Sequence, residues 1–255
     1  MIWRIPEMKK LLSVLAAAVL VMSLFLSAAA ADGPTYWDAA SQSYLYNTVR
    51  YGIVICRQMK IRDQAGTRGH EYGTIKNGQP VKILGTSQDG NYYMIDLASC
   101  GFQGYGPGEY GFGKASLIKA DPEFIATTKL TNLYATPWTT ELKNGEQTGR
   151  FFLVIDQSNG WYAVQANESA VGTAFILSRD VGNYSNGREK YVVTWNCPLL
   201  DEDTQNEIMT LKRFTVCDVG YYKEDSEYTL VIINEGRQDE ARGWVQSQYI
   251  ARIIN

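Results

Sequence analysis

The sequence predicts an all-β chain whose body is three similar segments in tandem, and three observations carry that expectation. Short runs rich in Val, Ile, Tyr and Phe recur after residue 45, separated by Gly, Asn and Asp turns. Beyond the N-terminal leader, no segment keeps an apolar stripe at helical spacing for three turns. The strand runs themselves repeat at a period of about 66 residues. Gly111 and Gly243 mark equivalent places two repeats apart, and Tyr93, Tyr162 and Tyr228 do so in successive repeats.

The leader comes first in chain order. Arg4, Lys9 and Lys10 precede an apolar run from Leu11 to Leu26, followed by the small residues Ser27 to Ala31. Polar sequence then opens at Asp32-Gly33-Pro34. This order is that of a secretory signal peptide over residues 1–31, with Ala-x-Ala cleavage options at Ala28–Ala30 and Ala29–Ala31. An uncleaved anchor is the alternative reading, because the run and its alanines together nearly span a bilayer. No Cys lies near the cleavage region, which argues against a lipoprotein anchor. Residues 32–48, rich in aromatics, Ala and Ser, are expected as a tail or as a cover over the first segment.

The first segment, residues 49–120, contains Gly52–Ile55, Lys60–Arg62, Tyr72–Ile75, Pro80–Leu84, Tyr92–Asp96 and Gly111–Ile118 as strand runs. The second, residues 121–183, contains Asn132–Tyr134, Phe151–Ile155, Trp161–Val164 and Gly172–Ile176. The third, residues 189–255, contains Pro198–Leu200, Ile208–Val216, Tyr228–Ile233 and Gly243–Ile250, with Asp203 to Leu211 also compatible with a short helical turn between strands. The connections at Ala120-Asp121-Pro122 and Asn183–Gly187 are short and turn-like.

Three runs carry a resemblance: Lys60-Ile61-Arg62, Gly160-Trp161-Tyr162-Ala163-Val164, and Gly243-Trp244-Val245 through Tyr249-Ile250. In this order they resemble the bacterial SH3 (SH3b) family from about Val49 to the C-terminus. The second repeat has a poor closing strand, and the third lacks a Gly-Trp before Tyr228. The resemblance implies three tandem small SH3-like barrels. It also implies a non-catalytic role in recognising peptidoglycan, its peptide or another envelope glycan, through shallow grooves lined by Tyr and Trp. A secreted protein is the alternative partner. The candidate ligand-binding residues are Arg62, Tyr92, Tyr93, Tyr105, Tyr110 and Phe112, all in the first segment. Three of them belong to the Gly-rich insertion Gly101–Phe112, whose aromatics either form a contact surface or fold back onto their own barrel.

Four cysteines, Cys56, Cys100, Cys197 and Cys217, fit disulfides in an exported chain. Of the three possible pairings the local ones, Cys56–Cys100 and Cys197–Cys217, are preferred, each within one repeat. Each would stabilise a small barrel by about 3–4 kcal/mol. Buried free thiols are the alternative. No metal or cofactor is expected: there is no Cys-x-x-Cys, and His70 is the single histidine. A hydrolase would need a nucleophile beside a base, and only His70 could serve. The acidic run Asp201-Glu202-Asp203 reads as a solvated turn. With a formal net charge of −3 and no Lys/Arg clusters, the chain is a poor partner for nucleic acid, and none is expected with membrane once the leader is cleaved. The expected location is secreted or in the cell envelope.

Overall fold

The computed structural model describes residues 35–137, 141–146, 149–166, 172–182, 189–221 and 226–254. The expected signal peptide and the connection at 183–187 lie outside them. Among these residues the regular structure is strand, interrupted only by 3-10 turns of three residues each. The first strand set is β1 (Thr35–Asp38), β2 (Ser43–Val54), β3 (Gln58–Arg62), β4 (Glu71–Lys76), β5 (Pro80–Ser87), β6 (Tyr92–Asp96), β7 (Tyr110–Lys114) and β8 (Ile118–Ala120). The second is β9 (Glu123–Ala126), β10 (Thr131–Tyr134), β11 (Glu141–Glu146), β12 (Phe151–Ser158), β13 (Trp161–Gln165) and β14 (Thr173–Leu177). The third is β15 (Lys190–Val193), β16 (Cys197–Leu200), β17 (Glu207–Leu211), β18 (Val216–Tyr221), β19 (Tyr228–Ile233), β20 (Ala241–Gln246) and β21 (Ile250–Ile253).

Period-two patterning makes these strands. In β3, Met59 and Ile61 are buried while Gln58 and Lys60 face solvent. In β5 the side chains of Val81 and Ile83 point inward between the half-buried Lys82 and Leu84. Such strands bury one face and wet the other, as a small antiparallel sheet requires.

The same strand order occurs three times. The first set pairs as β8-β2-β5-β6-β7-β3-β4, with β1 adding to β2. The third pairs as β21-β15-β18-β19-β20-β16-β17. The second follows as β9-β12-β13-β14-β10-β11, and an isolated bridge, Thr127 to Val181, stands where its closing strand would be. A 3-10 turn precedes the last position each time: Ala115–Leu117, Ser178–Asp180 and Ser247–Tyr249. Each set encloses a core of its own, around Ile61, Ile83 and Ile95, around Leu133, Val164 and Ile176, and around Leu199, Val231 and Val245. A fourth core joins them. Ile53 of the first set meets Phe124 and Leu153 of the second and Val192, Ala251 and Ile253 of the third.

Several expectations need correction. The hydrogen-bond ladders do not close three separate barrels: the first sheet runs open from β1 to β4, and the second and third sets share one 13-stranded sheet. The join is a parallel pairing of β9 with β21, Glu123 opposite Arg252 and Phe124 opposite Ile253. Phe124 and Ile253 are buried apolar residues on what would otherwise be bare sheet edges, and pairing covers their side chains and their backbone polar groups together. Residues 35–48 are not a tail but a hairpin, and β2 continues across the expected boundary to pair β5 on both sides of a register shift. Glu207–Leu211 is strand β17, not a helical turn. The preceding turn is held by the Asp201 carboxylate, which accepts from the backbone N–H groups of Asp203 and Thr204.

The expected disulfides are also absent, and all four cysteines are free. Cys197 on β16 lies opposite Leu211, whereas Cys217 on β18 lies opposite Tyr191, and two strands separate β16 from β18 in the sheet. The Cys217 Sγ–H donates to the Tyr191 carbonyl at 3.7 Å. Cys100 ends the 3-10 turn Ala98–Cys100 inside the first core, and Cys56 is only half-buried at that core's margin. The three buried thiols act as small apolar side chains.

Candidate ligand-binding cleft

The six residues singled out in the first segment do not converge. Tyr110 and Phe112 do, being two apart on β7 and so on one face, with ring centroids 5.7 Å apart and planes at 84°. They line a cleft of about 710 Å³. Three turns complete it: Ala40-Ser41-Gln42 between β1 and β2, Asp63-Gln64-Ala65 after β3, and Ser87-Gln88-Asp89 after β5. Phe112 is nearly buried and forms the floor, while Tyr110 is half-exposed.

The remaining four are engaged elsewhere. Arg62 stands opposite Phe112 in the sheet, but its guanidinium serves its own loop, donating to the Gly69 carbonyl at 2.7 Å and lying 3.7 Å from Glu71. Tyr92 and Tyr93 are opposite Lys114 and Gly113 on β7, and Tyr93 packs against the first core. Tyr105 meets Tyr72 edge-on at 5.3 Å, and both Phe102 and Tyr105 pack on the first core. The Gly-rich insertion is therefore folded onto its own strand set. Its Gly101 and Pro107 border a smaller cleft of about 300 Å³ against the third set, bridged by the Lys82–Glu227 ion pair.

The larger cleft is lined by carboxylates and no Lys or Arg. Asp89 accepts from Ser87 Oγ at 2.6 Å, from the Asn91 N–H at 3.0 Å and from Asn91 Nδ2 at 2.6 Å. Those bonds, the Ser87 one foremost, hold its carboxyl below the usual range, so it is an anion at neutral pH. Asp63 Oδ1 is buried with no hydrogen-bond partner among the described residues. An acceptor left dry in this way is satisfied by ordered water. Ring faces beside fixed carboxylate acceptors suit a neutral or cationic ligand rich in O–H or N–H donors, as saccharides and peptides are.

Sequence reading found the two rings but missed Asp63, Asp89 and the turn at 40–42. Ser87-Gln88-Asp89-Gly90 is legible as a turn, yet its neighbourhood to Asp63 depends on strand order. Of the tryptophans in the repeat motifs, Trp161 is core and meets Tyr134 edge-on at 5.2 Å, whereas Trp244 is half-buried. His70 packs edge-on to Tyr72 at 5.9 Å. Among the described residues no three His, Cys, Asp or Glu side chains are grouped to hold a metal. No helix among them is long and apolar enough to cross a membrane.

No protein-family model matches the chain, and neither does any curated protein. Solved structures similar to it include NlpC2 from Trichomonas vaginalis, with a TM-score of 0.24 and 8% identity over 80% of this chain and 99% of that one. NlpC1 from the same organism has a TM-score of 0.24 and 9% identity over 86% of this chain and 100% of that one. Likeness of that size carries no argument about activity.

Proposed function

We propose that the chain is an exported, non-catalytic binding protein of three tandem SH3-like units that recognises peptidoglycan or another envelope polymer. The observation carrying this reading is the threefold strand order with a 3-10 turn ahead of the closing position each time. It accords with the SH3b-like motifs, whose Lys60–Arg62, Trp161–Val164 and Gly243–Val245 fall on β3, β13 and β20. The signal-peptide pattern supports export, and the cleft at Tyr110 and Phe112 supplies acceptors and ring surface for a saccharide or peptide. The test is co-sedimentation of the mature chain with purified sacculi. Wild type pellets with the wall, and Tyr110→Ala pellets at least about tenfold less at equal wall, a loss typical of a buried aromatic anchor. Tyr110→Ala retention equal to wild type would remove the cleft from the reading, and absence of pelleting would remove the polymer.

A protein partner is the second reading, favoured by the β1–β2 hairpin. Trp37 and Tyr44 are cross-strand neighbours with rings 5.1 Å apart, and they and Tyr36 remain exposed. Retention of a secreted protein on immobilised wild type but not on Trp37→Ala, with no pelleting on sacculi, would establish it in place of the first.

A further inference from the structure

The three strand sets meet at the surface in another cleft, of about 420 Å³, unlike the first in its chemistry. Asn77 of the first set, Arg150 and Phe151 of the second, and Arg213 and Phe214 of the third line it. Phe214 adopts φ of 71°, a left-handed conformation that is an outlier for a bulky residue. Hydrogen bonds on either side enforce it: the Phe214 N–H donates to the Val193 carbonyl at 2.7 Å and the Thr215 N–H to the Lys212 carbonyl at 3.0 Å. The result is a ring held outward and 40% exposed, stacked on Phe151 at 6.0 Å and 19°. The Phe124 ring meets it edge-on, with centroids 6.5 Å apart.

Arg213 lies over the Phe214 ring, its guanidinium carbon 4.6 Å from the centroid. The other side of the guanidinium is confined by the first set, where even a methyl at Gly78 would meet it at 3.5 Å. No carboxylate pairs with Arg213 among the described residues, and the surrounding protein desolvates the group enough to lower its pKa. Arg150 lines the same cleft, 5.8 Å over the Phe152 ring. The Arg213 guanidinium, with no acid beside it among the described residues in a chain of net charge −3, leaves a planar fork of donors open to a carboxylate. The exposed phenylalanine stack beside it is apolar surface whose burial by a ligand is favourable.

We propose that this junction binds the terminal carboxylate of a peptide whose last side chain is aromatic or large and apolar. Arg213 takes the carboxylate, and Phe151 and Phe214 take the side chain. The site is separate from the Tyr110 cleft and does not rest on recognition of a wall polymer.

The test is titration of the mature chain with N-acetylphenylalanine against N-acetylphenylalaninamide, followed by NMR or calorimetry. The acid binds, and the amide binds at least about tenfold more weakly because the charge-assisted fork is lost. Arg213→Gln reduces affinity for the acid to that for the amide. Phe214→Gly weakens it too, with the turn retained because glycine adopts positive φ without strain. Tyr110→Ala leaves the titration unchanged. Equal binding of acid and amide, no binding of either, or wild-type affinity in Arg213→Gln or Phe214→Gly would overturn the proposal.

Discussion

Single residues set how closely strands approach in this fold. A Cβ on Gly243 would lie 2.3 Å from the Leu200 carbonyl oxygen and 3.1 Å from Leu199 Cγ. The first obstacle is backbone, so β20 and β16 must separate to admit it. Gly243→Ala is expected to destabilise by about 1–3 kcal/mol, the range for overpacking, read as a lower urea midpoint. The cysteines give a second prediction at this scale. Burial pushes the thiols of Cys100, Cys197 and Cys217 up to about 12, leaving almost no thiolate at pH 8. Ellman's reagent under native, non-reducing conditions should therefore titrate Cys56 first and the other three only after denaturant is added. Two or fewer thiols in denaturant would instead reveal bridges.

At the scale of elements, what could be read locally was legible. Alternation and turn residues placed Lys60–Arg62, Asn132–Tyr134 and Pro198–Leu200 at matching points of the repeat, and these became β3, β10 and β16, each paired with the strand that follows it, β4, β11 and β17. The poor closing strand of the second segment survives as a single bridge. The β1–β2 hairpin was not legible because its aromatics stay exposed and leave no buried face to read. The parallel β9–β21 join and the fourth core were hidden for another reason: the join pairs residues with the rest of the second repeat and nearly all of the third between them, and the core gathers residues from all three. The site divides along the same line. Tyr110 and Phe112 share a face by simple spacing, but Asp63 and Asp89 reach them only through the strand order. Phe214 carries no sequence mark of its left-handed backbone, which its neighbours' hydrogen bonds impose.

The whole molecule should respond to alkali through its buried acids. The three buried thiols ionise near 12 when folded against an ordinary value of 9.0, and Tyr72, Tyr162 and Tyr249 are shifted upward by burial as well. A pKa raised by folding means that the unfolded chain releases its proton first, so unfolding gains favour as pH rises. Stability from these thiols is complete below about pH 9 and is lost progressively from there toward pH 12. Urea midpoints measured from pH 7 to 11 should be flat and then fall, and replacing Cys100, Cys197 and Cys217 by Ala should lessen the fall. An equally steep fall in that variant would assign the alkaline limb to the tyrosines.

The parallel join also bears on how the chain reaches its native state. Strand β9 waits for a partner about 130 residues further along, so its outer edge stays bare until the third repeat has folded and docked. Contacts of that sequence separation carry a large loop-closure cost and form late, which makes docking rather than strand formation the slow step. In the interval the second repeat displays Phe124 and a row of unpaired backbone groups, the kind of edge through which one molecule captures another. Yield on refolding should thus depend on protein concentration, with aggregation competing against an intramolecular docking whose rate does not change.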